Sequence, residues 1–266
     1  MVAASEPARA SERGIVLPAV AATAVVVLAL GELLFVDGHT LAGLVVDAAL
    51  VLGLANVAAA TSAIEGGRLF GILALAPLAR LLVFTMPLGN VPPLYWHALV
   101  GAPLLPALAL APRAFGFSYA ALGLRRGGLA GQLLIAATGV PLSVAAYEIL
   151  RPAPIVPHFD RSRLLLGSLT LVVFAAVAEE LFFRGLLQQA AAGVFGTAGV
   201  AFVNVVFAVT AIGSRSVWYA LFAGLMGGWF SFAVDRSRCL WGVIGAHALV
   251  AIGLVLVWPW VGLPQI

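Results

Sequence analysis

LLGSLTLVVFAAVAEELFFRG, Leu165 to Gly185, decides the fold. Its first fourteen residues carry no charge, then Glu179 and Glu180 stand side by side, and LFF separates them from Arg184. A run this long and apolar predicts a helix that crosses a membrane, where about 20 such residues span the hydrocarbon core. On a helix, residues four apart share a face, so Glu180 lies beneath Arg184 in the order that favours an ion pair, while Glu179 is rotated away by roughly 100°. The two carboxylates therefore have different roles open to them. Arg184 neutralises Glu180, and Glu179 is left without a local partner, free to act as a general base. Charges at a span end, placed there for topology, are the plainer alternative. The apolar sequence on both sides argues against it, because carboxylates at membrane depth face protein or a water-filled cavity and serve function.

Working outward, the rest of the chain has the same character. Of 266 residues, 63% are hydrophobic and only 9% charged, with a mean hydropathy of +1.11. A water-soluble domain cannot cover itself with such a composition. All 14 basic residues are Arg, which with the heavy Ala, Val, Leu and Gly usage fits a GC-rich bacterial coding bias and a multi-pass protein of the bacterial plasma membrane. The net charge of +3 belongs to Arg-flanked loops at a membrane surface, and no basic run is dense enough for nucleic acid. The single cysteine, Cys239, forms no intramolecular disulfide and reads as a small residue near a helix start.

Apolar runs predict spans at about Ile15–Val36, Leu41–Ile64 and Leu69–Leu88, a fourth ending near Pro112, and a fifth at Leu129–Leu150. The long helix with the glutamate pair follows, then runs at about Ala198–Ile212, Val217–Val234 and Leu240–Val261. The prediction is an all-α polytopic membrane helical bundle of about eight or nine transmembrane helices. The interruption from Ala111 to Gly128 divides the chain into residues 1–121, helices without a recognised motif, and 122–266, the half carrying the chemistry. A cytoplasmic N-terminus puts Arg68, the Arg113 to Arg126 loop, Arg236 and Arg238 inside, as the positive-inside rule asks, but leaves Arg151, Arg161 and Arg163 outside. Arg80 and Glu148, inside their spans, snorkel or pair internally. The GLMGG run at Gly224–Gly228 reads as close helix packing, and Trp258 and Trp260 as an interfacial anchor.

The EELFFRG motif resembles the signature of the CAAX-protease and bacteriocin-processing (CPBP, or Abi) family of intramembrane endopeptidases. LGLRR at Leu122–Arg126 resembles the segment that opens the family core, and FAGLMGGWFSFAVDRSRCLWGVIGAHAL, Phe222 to Leu249, its closing segment with a His-bearing helix. The resemblance spans about half the chain, from Leu122 to Val257. It implies that Glu179 activates a water, that Glu180 and Arg184 form the supporting pair, and that His247 binds or polarises the reacting carbonyl. The family's other histidine falls on Ala211 of FAVTA, behind a matching Phe207, and its final asparagine on Ala251 of HALVA. A methyl accepts no proton and donates no hydrogen bond, and losing one oxyanion donor commonly costs about 10²- to 10³-fold in rate. Asn204 and Thr210 are candidates to line the same cavity as Phe207. His39, His97 and His158 read as surface histidines near loop or span ends. Glu179 and His247 are a thin ligand set for zinc, which ordinarily takes three protein ligands at a catalytic site, so no tightly bound metal or other cofactor is expected. The resulting expectation is an intramembrane endopeptidase that hydrolyses a peptide bond of a membrane-associated substrate: a CAAX-type prenyl protein, a leader peptide or a sorting signal. The partners are membrane lipid and that protein or peptide. The competing expectation is a relative that has lost catalysis and persists as a membrane binding, scaffold or immunity protein, and a transporter is a weaker third.

Overall fold

The computed structural model describes residues 6–156 and 160–261, so His158 lies outside the described residues. Eight helical segments are long and apolar enough to cross a membrane, and there are no strands among the described residues. The chain is an integral, multi-pass, all-α bundle. Its helices are α1 (Glu6–Val36), α2 (Thr40–Ala60), α3 (Arg68–Thr85), α4 (Pro93–Ala114) and α5 (Leu129–Leu150). A 54-residue segment, Arg161–Ser214, doubles back at Gly196, whose φ of +56° ends the first run. It provides α6 (residues 161–195) and α7 (Gly199–Thr210), which pack side by side with Phe195 stacked on Phe202 at 4.6 Å. Then come α8 (Val217–Ser237) and α9 (Trp241–Val261).

Caps set two of the starts. Asp160 stands in extended conformation and accepts from Ser162 N at 2.9 Å, opening α6. Hydrogen bonds from the Ser162 hydroxyl and backbone N–H hold the Asp160 carboxyl below the usual carboxylate range. Ser216 likewise accepts from Tyr219 N at 3.2 Å and opens α8.

Loop contacts sort the connections onto two faces. Arg68 lies over the Phe117 ring, Gly66 beside Val194, and Leu240 N donates to Gly123 O at 3.0 Å. The α2–α3, α4–α5, α6–α7 and α8–α9 turns thus share one face. The Gly123 in that contact has φ +81°, which a side chain rarely adopts, and it joins LGLRR to the Leu-Trp at the start of α9. Cys239 is buried in the same joint, its Sγ 3.3 Å from Arg125 O. On the opposite face Arg151 pairs with Glu148 and Arg163 with Asp160.

Arg80 and Glu148 each find a partner: Arg80 pairs with the buried Glu32 of α1, Nη2 to Oε2 at 2.7 Å, with Asp47 of α2 buried nearby, and Glu148 pairs with Arg151. Trp258 is not simply an interfacial anchor, since its Nε1 donates to Ser143 Oγ of α5 at 2.9 Å. That bond closes a seam along which α9 presses on α5, with Gly242 against Gln132 and Gly245 against Ala136. Small residues allow this approach, and the seam turns the next face of α9, bearing His247, toward α6.

Candidate active site

The glutamate pair sits in a local change of winding. α6 is wound as π-helix over Leu171–Val177 and Leu181–Leu187, flanking the α-helical turn Ala178–Glu180. Such π segments widen the turn and recur at functional sites. Glu180 and Arg184 point into the bundle with fully buried side chains, while Glu179 turns away and keeps 44% of its side chain exposed.

Arg184 Nη1 lies 3.3 Å from Glu180 Oε1. Its guanidinium is also covered by three rings, 4.4 Å from the Phe207 centroid and 5.6 Å from those of Phe183 and Phe230. A desolvated cation over aromatic faces gains about 2 kcal/mol, so Phe207 caps the ion pair as well as lining the cavity. Gly227 of α8 closes the other side. A Cβ there would lie 2.8 Å from Arg184 Nη2, 2.9 Å from Phe207 and 3.0 Å from Asn204 Oδ1. The packing reading of GLMGG thus has a named target. Because Arg184 is caged, Gly227→Ala forces a shift of several groups. The expected loss is about 1–3 kcal/mol, read as a lower unfolding midpoint in detergent.

His247 joins the two carboxylates. Its Nδ1 is 2.6 Å from Glu180 Oε1 and its Nε2 3.7 Å from Glu179 Oε2. A carboxylate oxygen accepts, so Nδ1 donates to Glu180, and Nε2, when it too carries a proton, is a donor aimed at Glu179 and at an oxygen beside it. The sequence paired Glu180 with Arg184 alone; the fold makes it the shared partner of Arg184 and His247. An oxygen set to one side of the 3.7 Å line joining Glu179 and Nε2 can be about 2.8 Å from both.

These groups open into a cavity of about 670 Å³. Its wall is mostly leucine, valine, alanine and phenylalanine from α3, α4, α6, α7, α8 and α9, and its polar groups include Arg80, His97, Glu179, Thr210, Tyr219 and His247. It occupies the half of the bundle nearer the face with the α3–α4 and α5–α6 turns, and Glu179 lies at its inner end.

Phe207 and Thr210 line the cavity. Asn204 does not: its Oδ1 accepts from Ser231 Oγ at 3.2 Å and sits behind Arg184, one turn deeper on α7. Ala211 and Ala251 both line the cavity, so both methyls stand inside the site. His97, read from the sequence as a surface histidine, is exposed and also lines the cavity. Periodicity along α4 was the signal that would have found it, since His97, Gly101, Leu104 and Leu108 fall on one face. His39 precedes α2 and does not line the cavity.

Among the described residues no three His, Cys, Asp or Glu side chains converge as a metal site. Glu180 is held by Arg184 and His247, which leaves Glu179 and His247 Nε2 facing each other.

Fold and site together define a membrane-embedded protein with a buried Glu–Arg–His cluster and one free carboxylate in an apolar cavity. Comparison with known families agrees. Residues 161–253, from α6 into α9, match the family model described as type II CAAX prenyl endopeptidase Rce1-like, in line with the CPBP resemblance. Those residues are thus similar to a CAAX-type intramembrane protease domain. No curated protein and no solved structure matches the chain.

Proposed function

We propose that the chain is an intramembrane endopeptidase, in a bacterial plasma membrane, that hydrolyses a peptide bond of a membrane-associated substrate. The candidates are a CAAX-type prenyl protein, a leader peptide or a sorting signal. The observation that carries this reading is Glu179: a half-exposed carboxylate at the end of an apolar cavity, 3.7 Å from the outward nitrogen of a histidine anchored by Glu180. Water between the two surrenders a proton to Glu179 as its oxygen attacks the carbonyl carbon. The carbonyl π pair moves onto oxygen, and His247 polarises it. Collapse of the tetrahedral species breaks the C–N bond, the nitrogen takes up the proton held by Glu179, and an acid and an amine leave with the carboxylate restored. Glu180 and Arg184 hold His247 and the α6 turn.

A farnesylated, internally quenched peptide in proteoliposomes tests this directly. Cleavage in H₂¹⁸O is expected to place one ¹⁸O in the new carboxylate; an intact peptide, or a product without label, overturns the reading. One observation favours the alternative of an inactive binding or scaffold protein: Ala211 and Ala251 put methyls on the cavity wall. That alternative predicts no cleavage and a cellular phenotype indifferent to Glu179→Gln.

A further inference from the structure

Access to Glu179 runs from one side of the bundle. α7 and the turn after it contribute Phe207 to Ser214 to the cavity wall, α8 the stretch from Tyr219 to Met226 in its first half, and α9 that from His247 to Val255 in its second. All three stretches lie toward the face with the α3–α4 and α5–α6 turns, and Leu88, Pro93 and Ile155 of those turns line the outer end. Toward the other face the way is shut. Glu180 and Arg184 have fully buried side chains, three phenylalanine rings lie against the guanidinium, and Gly227 brings α8 up to it. Beyond them Leu240 closes on Gly123, and Cys239 is buried against Arg125. Substrate and water therefore enter through the outer end.

The arginines indicate which compartment that end faces. Arg68, Arg113, Arg125, Arg126, Arg236 and Arg238 are exposed on the closed face. α1 begins on the same side, where Leu17 lies beside Gly66, and carries Arg9 and Arg13 in its first turns. The open face has Arg151, Arg161, Arg163 and Arg215. Arginine in short loops is retained in the cytoplasm, and the excess sets the orientation. We infer that the site opens to the extracytoplasmic side and takes a segment of an exported protein, a leader peptide or sorting signal presented from the outer leaflet; the substrate half rests on the hydrolase reading above. The scissile bond then meets Glu179 after its chain has crossed the membrane. A cytosolic protein, prenylated or not, meets the closed face.

Two glycines let the sides be read directly. Gly89, in the α3–α4 turn, and Gly128, before α5 on the closed face, are exposed, and a Cβ at either has nothing within 4 Å. Gly89→Cys and Gly128→Cys thus each add one accessible thiol, while the native Cys239 is buried. With a membrane-impermeant maleimide, Gly89→Cys is expected to label in intact spheroplasts of a bacterial host, and Gly128→Cys after lysis alone. Labelling of Gly128→Cys in intact spheroplasts with Gly89→Cys protected overturns the inference and leaves the hydrolase reading intact. The farnesylated quenched peptide, made impermeant by a sulfonated fluorophore, is the lipid-anchored probe for the substrate half. Sealed right-side-out vesicles are expected to cleave it, and sealed inside-out vesicles to lose that activity until detergent opens them. Cleavage by sealed inside-out vesicles at the right-side-out rate also overturns the inference. If neither preparation cleaves the peptide even in detergent, the hydrolase reading and the substrate half fall together, and the labelling still decides which way the cavity opens.

Discussion

Glu179→Gln is expected to reduce peptide cleavage by about 10²- to 10⁴-fold, the usual contribution of a positioned base, while the protein folds and accumulates normally. The substitution is nearly isosteric and removes the group that accepts the proton. The side chain is 44% exposed, and His247, whose Nε2 lies 3.7 Å from it, stays anchored to Glu180 through Nδ1 when Glu179 is replaced. Stability should stay within about 0.5 kcal/mol of the wild type. Single-turnover cleavage in proteoliposomes, read beside thermal unfolding in detergent, checks both halves. Wild-type cleavage by the variant ends the role assigned to Glu179, and a large drop in the unfolding midpoint shows the carboxylate to be structural.

Its neighbour should behave in the opposite way. Glu180→Leu is expected to destabilise the fold by about 3–5 kcal/mol, the range for breaking a buried pair by removing one partner. Glu180 is fully buried, and it is the carboxylate within ion-pair reach of Arg184 among the described residues. An arginine cannot relieve the loss by deprotonating, and its cage of three rings supplies no counter-charge. His247 Nδ1 loses its acceptor at the same time. The double variant Glu180→Leu with Arg184→Met should recover part of the loss, because an apolar pair of similar volume strands no charge. Folded yield and unfolding midpoint of the two single variants and the double variant form the cycle. Equal stability of Glu180→Leu and wild type would show that the pair is not what holds this turn. Adjacent residues on one helix thus separate activity from stability.

Much of this division was legible from the sequence. The apolar runs gave every span to within a few residues, and the i, i+4 spacing gave the Glu180–Arg184 pair. The fold-back at Gly196 was legible as two separate apolar runs. Other features depended on contacts across the chain. Arg80 finds Glu32, 48 residues away, and Glu180 finds His247, 67 residues away; no local spacing encodes either pair. The π winding of α6 was hidden because its sequence has ordinary helical composition. Asn204 and Ala211 lie seven residues apart on one helix, a spacing that predicts a shared face, yet α8 packs over Asn204 and leaves Ala211 at the cavity.

The sequence by itself determined that the chain lives in a bilayer, that it is all helix, and that Glu179 is the carboxylate without a local partner. These follow from hydropathy and helical period, which act over a few turns. Only the tertiary structure decided what surrounds that carboxylate. It turned His247 between the two glutamates, wrapped Arg184 in three rings, and brought His97 into the cavity on a helix with no recognisable motif. The physical reason is that these positions are set by how closely helices approach at Gly101, Gly227 and Gly245, and that approach is a property of two surfaces together.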